Sequence, residues 1–97
     1  MKKYIIEFIG TLFLVLIIAL TGNPIAIGFG LSALIYMGAH ISGAHYNPAV
    51  SLAMAINNQI KLKELGLYIL SQFLGAVVAT LLVIFLGYEF NVVPNTD

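Results

Sequence analysis

The polar residues whose types and spacing suggest chemistry lie in one stretch of the sequence. Residues 42–46 read Ser-Gly-Ala-His-Tyr, and they are followed by Asn47, Pro48 and Ala49. Asparagine is a favoured helix N-cap, and proline suits the first helical position because its φ is preset and it has no amide hydrogen to leave unpaired. We therefore predict a helix that begins at Pro48. Its positive dipole end and the Asn47 amide would repel a cation and would donate to a neutral acceptor such as a water oxygen.

The composition of the chain is that of a membrane protein. Of its 97 residues, 61% are hydrophobic and 8% are charged, and the mean hydropathy is +1.04. A single small domain of this length, residues 1–97, has too little interior to bury so much apolar surface, so lipid must cover its outside. The formal net charge is zero, which argues against a nucleic-acid partner, and the lack of cysteine excludes disulfides and cysteine-bound metals.

Three stretches are long and apolar enough to span a bilayer. They are residues 4–20, 25–41 and 65–88, and Glu7 is the only formal charge within them. Helices of these lengths rise about 25 to 36 Å, against a hydrocarbon core of about 30 Å. Because backbone amides in lipid must be bonded within their own segment, we predict an all-α protein with three transmembrane helices.

The segment between the second and third spans, residues 42–57, is too short to cross. The helix-compatible part from Pro48 to Asn57 rises only about 15 Å, half of a membrane. Irregular backbone at membrane depth persists only when it is buried in protein or lines a wet cavity, because unpaired carbonyls facing lipid are costly. We therefore predict a re-entrant loop and half-helix that line a pore, with loop carbonyls that pass a hydroxylic solute by successive hydrogen bonds.

The lysines give an independent indication of topology. Lys2 and Lys3 precede the first span, and Lys61 and Lys63 precede the third. The positive-inside rule places all four on the cytoplasmic side, which requires two crossings between the pairs and a segment 42–57 that dips in and returns. We expect an integral protein of the plasma (inner) membrane with a cytoplasmic N-terminus and an outside C-terminus.

Several residue groups together resemble the N-terminal half of the major intrinsic protein family, which includes aquaporins and glycerol facilitators. They are Glu7-Phe8-x-Gly10-Thr11 on the first helix, residues 40–50 (HISGAHYNPAV), and Tyr68, Gln72, Gly75 and Ala76 on the third helix. The resemblance covers nearly the whole chain. It implies half of an inverted-repeat aquaporin-like bundle, in which the second half brings another half-helix from the opposite face.

The resemblance also implies roles for particular residues. Asn47 would donate to the permeating solute at mid-pore, and the carbonyls of Gly43, Ala44 and His45 would line the channel. Ile27 would stand at the outer filter, where strict water channels carry a large aromatic residue, so pure water selectivity is not expected. The filter's Arg and a second Asn-Pro-Ala belong to the other half of the family fold, and this chain has neither.

The remaining polar residues are expected to support the loop. Glu7 either accepts hydrogen bonds from buried loop amides or extends its carboxylate to the membrane face. Gln72 is expected to donate a hydrogen bond between helices. His40 and His45 are not expected to bind a metal, because their spacing matches no helical face and no third ligand is evident. They are expected to brace the loop by hydrogen bonds. Tyr4, Tyr68 and Tyr88 are interpreted as interfacial anchors.

We expect no enzyme, no cofactor and no metal site, since no nucleophile and base pair or phosphate loop can be assembled from these residues. The predicted function is a passive channel subunit for water or a small neutral solute such as glycerol, in an oligomer. Its pore partner is either a different chain or an oppositely oriented copy, and the one-sided lysines favour a different chain or a truncated product. The alternative is a non-conducting truncated fragment or small membrane assembly subunit. Residues 91–97 are polar and resemble the start of the family's connecting loop.

Overall fold

The computed structural model describes residues 1–87, and this part of the chain folds into four α-helices. They are α1 (Lys2–Thr21), α2 (Pro24–Ser42), α3 (Pro48–Ile56) and α4 (Leu62–Phe85). Of these, α1, α2 and α4 are long and apolar enough to cross a membrane, and the predicted all-α fold is confirmed. Tyr88 and the run 91–97 lie outside the described residues.

The turn between α1 and α2 follows from its local sequence. Gly22 adopts a left-handed φ of 58° and ends α1, and Pro24 is the first residue of α2. The side-chain oxygen of Asn23 accepts hydrogen bonds from the amides of Ile25 and Ala26 at 2.9 and 3.1 Å. So tight a connection forces the two helices to run antiparallel.

Helix α4 packs parallel to α1, and their backbones touch. A Cβ atom on Gly75 would lie 2.4 Å from the carbonyl oxygen of Phe8, so only glycine permits this approach. At the other end of the contact, Lys3 forms an ion pair with Glu64. The first turns of α1 and α4 therefore lie at the same end of the bundle, and the lysines near both N-termini share that end.

The helices extend beyond the predicted spans at several ends, and two of these differences affect the segments that flank the loop. Helix α4 begins at Leu62 rather than at residue 65, because the Glu64 carboxylate accepts from the amide of Lys61 at 3.0 Å and caps an earlier first turn. Helix α2 includes Ser42, and it ends where Gly43 turns left-handed with φ 87°. The irregular stretch is therefore shorter by one residue than predicted.

Helix α3 stops about halfway along α4. Its nine residues rise about 14 Å, and its tip at Asn47 and Pro48 shares a groove with Gln72 and Ala76 of α4. These two residues lie about 15 to 21 Å along a helix about 36 Å long. A short turn then joins the other end of α3 to the start of α4, so the half-helix returns to the end of the bundle at which α4 begins.

Candidate functional site

The loop between α2 and α3 has an unusual backbone. Gly43, Ala44 and Tyr46 have φ values of 87°, 53° and 54°, all in the left-handed region. For a residue with a Cβ this conformation costs roughly 1 to 2 kcal/mol, so Ala44 and Tyr46 need compensation from the surrounding structure.

Glu7 supplies that compensation from the second turn of α1. Its Oε1 accepts from the Tyr46 amide at 2.8 Å and from Nε2 of Gln72 at 2.8 Å. Its Oε2 accepts from the His45 amide at 3.1 Å and from the Ser42 hydroxyl at 2.7 Å. The side chain is 0% exposed, and four donors match the acceptor capacity of a carboxylate. Glu7 therefore faces the loop and does not extend to the membrane face.

The loop carbonyls point away from this buried carboxylate. The amide of Ala44 donates to the Ser42 hydroxyl at 3.1 Å, and the next two amides donate to Glu7. In a trans peptide each amide is antiparallel to the carbonyl of the preceding residue, so the carbonyls of Gly43, Ala44 and His45 are directed to the opposite side. Within residues 1–87 none of these three carbonyls accepts a hydrogen bond. We call them the carbonyl track.

At the end of the carbonyl track stands the tip of α3. The side-chain oxygen of Asn47 accepts from the Ala49 amide at 2.8 Å, which caps the helix and leaves both amide hydrogens without an acceptor in the described part of the chain. Asn47 is exposed on an open groove of about 340 Å³, which α1 and α4 line with residues that include Thr11 and Phe73. A solute in the groove would meet the donor of Asn47.

Tyr46 fixes the loop against α1 and α2, a role that was not predicted from the sequence. Its hydroxyl donates to the carbonyl of Leu34 at 2.8 Å. A Cβ on Gly10 would lie 2.0 Å from the Tyr46 ring, and one on Gly38 would lie 2.0 Å from its hydroxyl. The two glycines thus form a slot for the ring. The sequence signal was the presence of glycine on both helices, but it indicated only close helix packing.

A second set of hydrogen bonds joins the loop to α3 and α4. Nδ1 of His45 lies 2.8 Å from the hydroxyl of Ser51, which also accepts from Nε2 of Gln72 at 2.9 Å. The ring of His45 stacks on Tyr68 with a centroid distance of 4.7 Å. Tyr68 is 2% exposed and donates to the Ser42 carbonyl at 2.6 Å, so its interpretation as an interfacial anchor was wrong. Ser51 was not predicted from the sequence.

Two predicted site residues lie apart from this network. The side chain of His40 is exposed on α2 and makes no hydrogen bond within residues 1–87, so it does not brace the loop as expected. Ile27 is half-buried in the first turn of α2, about 22 Å along the helix from Ser42. The described residues hold no group of three or more His, Asp or Glu side chains that could bind a metal.

Two buried polar atoms near the groove have no partner in the described part of the chain. They are Oγ1 of Thr11 on α1 and Oε1 of Gln72 on α4. Both residues line the groove at Asn47. An unpaired buried polar atom costs about 1 to 3 kcal/mol. The polar groups on this side of the groove are therefore less completely hydrogen-bonded than those of the loop.

Comparison with known proteins finds a matching family and several similar relatives. The major intrinsic protein family matches residues 1–96. The chain is 42% identical to a glycerol uptake facilitator protein-like 6 of Lactiplantibacillus plantarum, over 82% of this chain and 41% of the relative. It is 33% identical to nodulin-26 of Glycine max, over 98% and 42%, and 34% identical to aquaporin Z of Rhodopseudomonas palustris, over 84% and 40%. The chain thus spans about two fifths of the length of these curated relatives.

Proposed function

This chain belongs to the major intrinsic protein family, and from that premise we propose that it forms one side of a passive channel for water or a small neutral solute such as glycerol. One observation carries the proposal. Three consecutive carbonyls, of Gly43, Ala44 and His45, have no partner within residues 1–87 and lead to the free amide of Asn47. Acceptors in series followed by a donor are what a hydroxylic solute needs in order to leave bulk water.

In this mechanism the loop replaces the hydration of the solute. Each carbonyl of the track accepts from a hydroxyl hydrogen of the solute, and the Asn47 amide donates to its oxygen. The amides of Ala44, His45 and Tyr46 already donate to Ser42 and Glu7. The carbonyl track therefore presents only hydrogen-bond acceptors to the solute. The solute therefore moves between fixed partners without waiting for the backbone to rearrange.

The same tip disfavours cations. Helix α3 begins at Pro48, so its positive dipole end and the Asn47 amide hydrogens face the groove together. The carboxylate of Glu7 lies behind the loop and is fully engaged by four donors, so it offers a cation no free oxygen. Neutral solutes are the class that this arrangement favours.

A conducting pore needs a second wall, because the groove at Asn47 is open on one side. We propose that a second half-channel supplies it, from a different chain, from further sequence, or from an oppositely oriented copy. Clustering of the lysines at one end of the bundle supports one fixed orientation, which disfavours the oppositely oriented copy. We propose that this end of the bundle lies on the cytoplasmic side of the plasma membrane. We also propose that the protein forms an oligomer.

We propose Ile27 as the contribution of this half to the outer filter. It lies in the first turn of α2, at the end opposite the loop. An aliphatic side chain leaves more room than a large aromatic ring and offers no polar group. This supports passage of a solute such as glycerol in addition to water.

The test is solute flux in proteoliposomes that contain the chain alone, or the chain with the C-terminal half of the Lactiplantibacillus plantarum relative. Asn47→Asp keeps the oxygen that caps α3 and removes the donor. Stopped-flow light scattering should show water and glycerol flux that falls to the level of empty vesicles in this variant. Asn23→Asp, at the cap of α2, is the matched control and should conduct like the wild type.

Two results would contradict the proposal. Equal flux through the wild type and Asn47→Asp would remove Asn47 from the pore. Wild-type flux equal to that of empty vesicles in both preparations would favour the non-conducting assembly subunit.

A further inference from the structure

Ser51 is the junction of a buried chain of hydrogen bonds behind the loop. Its hydroxyl oxygen lies 2.8 Å from Nδ1 of His45 and 2.9 Å from Nε2 of Gln72, and the residue is 0% exposed. The same Nε2 atom lies 2.8 Å from Oε1 of Glu7. These contacts fix the direction in which each hydrogen bond runs.

The direction follows from what each group can donate. A carboxylate accepts, so Gln72 presents its NH₂ group to Glu7, and its second amide hydrogen is donated to Ser51. The Ser51 oxygen thus already accepts, and within residues 1–87 the one acceptor bonded to its own hydrogen is Nδ1 of His45. A neutral imidazole that accepts at Nδ1 carries its proton on Nε2.

The protonated edge of the ring lies against Gly43. A Cβ atom on Gly43 would be 3.1 Å from Nε2 of His45, so this edge rests against Gly43. Gly43 is exposed, and its carbonyl has no partner within residues 1–87. Stacking on Tyr68 holds the ring plane in place. The N–H donor of His45 therefore lies next to Gly43, the first residue of the track.

We propose that Ser51 is a positioning residue that locks His45 in its Nε2–H tautomer, and that this N–H is a second fixed donor to the permeating solute. The second part of this inference rests on the proposed function. A solute hydroxyl at Gly43 would donate to the carbonyl and accept from Nε2–H at the same time. The track then has a donor at each end, His45 and Asn47, with acceptors between them.

The lock is tested by ¹⁵N NMR of the full chain in lipid bilayers. The chain has two histidines, so His40→Gln leaves His45 as the only labelled ring. The ¹⁵N shifts of the two ring nitrogens report the tautomer of the neutral ring directly. We expect the proton on Nε2. Ser51→Ala should lower the ratio of Nε2–H to Nδ1–H about tenfold, which corresponds to about 1.4 kcal/mol.

Two further variants keep this test specific. Ser51→Thr keeps a hydroxyl at the same place and should restore the wild-type ratio. Ser71→Ala removes a hydroxyl that donates to the Leu67 carbonyl of its own helix, so it should leave the ratio unchanged. A proton on Nδ1 in the wild type, or an unchanged ratio in Ser51→Ala, would overturn the lock.

The donor role has its own readout. The donor role predicts magnetisation transfer from water to Nε2–H in the wild type. A locked Nε2–H that receives no transfer from water would overturn the donor role. The tautomer is measured without any solute flux, so failure of the lock and failure of the proposed channel are distinguishable.

Discussion

The amide nitrogen of Tyr46 lies 2.8 Å from Oε1 of Glu7, so a residue in the first span holds the backbone of a loop 39 positions later. This bond and its neighbour at His45 turn two successive amides toward the protein interior. The carbonyls on the other side of the same peptides are left free for a solute. In this chain the geometry of the proposed pore is therefore determined by a carboxylate behind it.

The Glu7→Gln variant tests the role of this carboxylate. The amide NH₂ of glutamine cannot accept, so one or more of the four buried donors loses its partner, at about 1 to 3 kcal/mol each. Hydrogen exchange of the His45 and Tyr46 amides should accelerate about 5- to 150-fold, and flux should fall. Glu64→Gln, which loses a contact at the end of the bundle, is the control and should leave this exchange unchanged. Unaltered exchange in Glu7→Gln would show that the loop keeps its shape without the carboxylate.

The slot for Tyr46 makes a prediction in the form of a double-mutant cycle. Gly38→Ala places a methyl group where the Tyr46 hydroxyl now lies, and such overpacking costs roughly 1 to 3 kcal/mol. In a Tyr46→Phe background the hydroxyl is absent, so the same substitution should cost measurably less in a thermal unfolding experiment in detergent. Gly28→Ala, where nothing lies within 4 Å, should be tolerated. Equal costs in both backgrounds would mean that the ring does not occupy the slot.

Close packing of α1 on α4 should depend on Gly75. A methyl group there would meet the backbone of Phe8 at 2.4 Å, and backbone cannot move aside without separating the helices. Gly75→Ala should therefore lower the unfolding midpoint and also weaken the hydrogen bond between Glu7 and Gln72 one turn away. Gly66→Ala lies on the same helix in open space and is the matched control. Similar midpoints for the two variants would contradict this packing.

The unpaired hydroxyl of Thr11 predicts a substitution that does not lower the stability of the fold. Thr11→Val keeps the shape of the side chain and removes a buried oxygen that has no partner within residues 1–87, so it should be neutral or should stabilise the fold by about 1 kcal/mol. Thr80→Val removes a hydroxyl that donates to the Ala76 carbonyl at 2.9 Å and is the control. Clear destabilisation by Thr11→Val would mean that the hydroxyl has a partner in the assembled protein.

Local sequence signals were sufficient to predict the helices and the half-helix. Asn23-Pro24 and Asn47-Pro48 each carry an N-cap followed by a proline, and both pairs start helices in the structure. The start of α4 was predicted too late, because Lys61 and Lys63 were taken to precede the span and the capping by Glu64 was not considered. Such caps add a turn that hydropathy alone does not indicate.

The site could be predicted only in part, for a physical reason. Asn47 and the half-helix follow from neighbouring residues, whereas the positions of Tyr46, Ser51 and Tyr68 depend on contacts between distant helices. The sequence gives no sign of these roles. A tyrosine near the end of a span resembles an interfacial anchor, and a serine in a short helix resembles a small residue without a specific contact. Only the packed structure shows that each one bonds to the loop or to its support.

The central claim is that the loop of residues 43–47 enters the membrane as far as its middle and that α3 returns the chain to the same side. Because the chain has no cysteine, single Lys2→Cys and Lys61→Cys variants can be labelled with a membrane-impermeant maleimide in sealed vesicles. We expect both cysteines to react from the same side of the membrane. Reaction of Lys2→Cys from one side and of Lys61→Cys from the other would contradict the re-entrant half-helix and the proposed pore that depends on it.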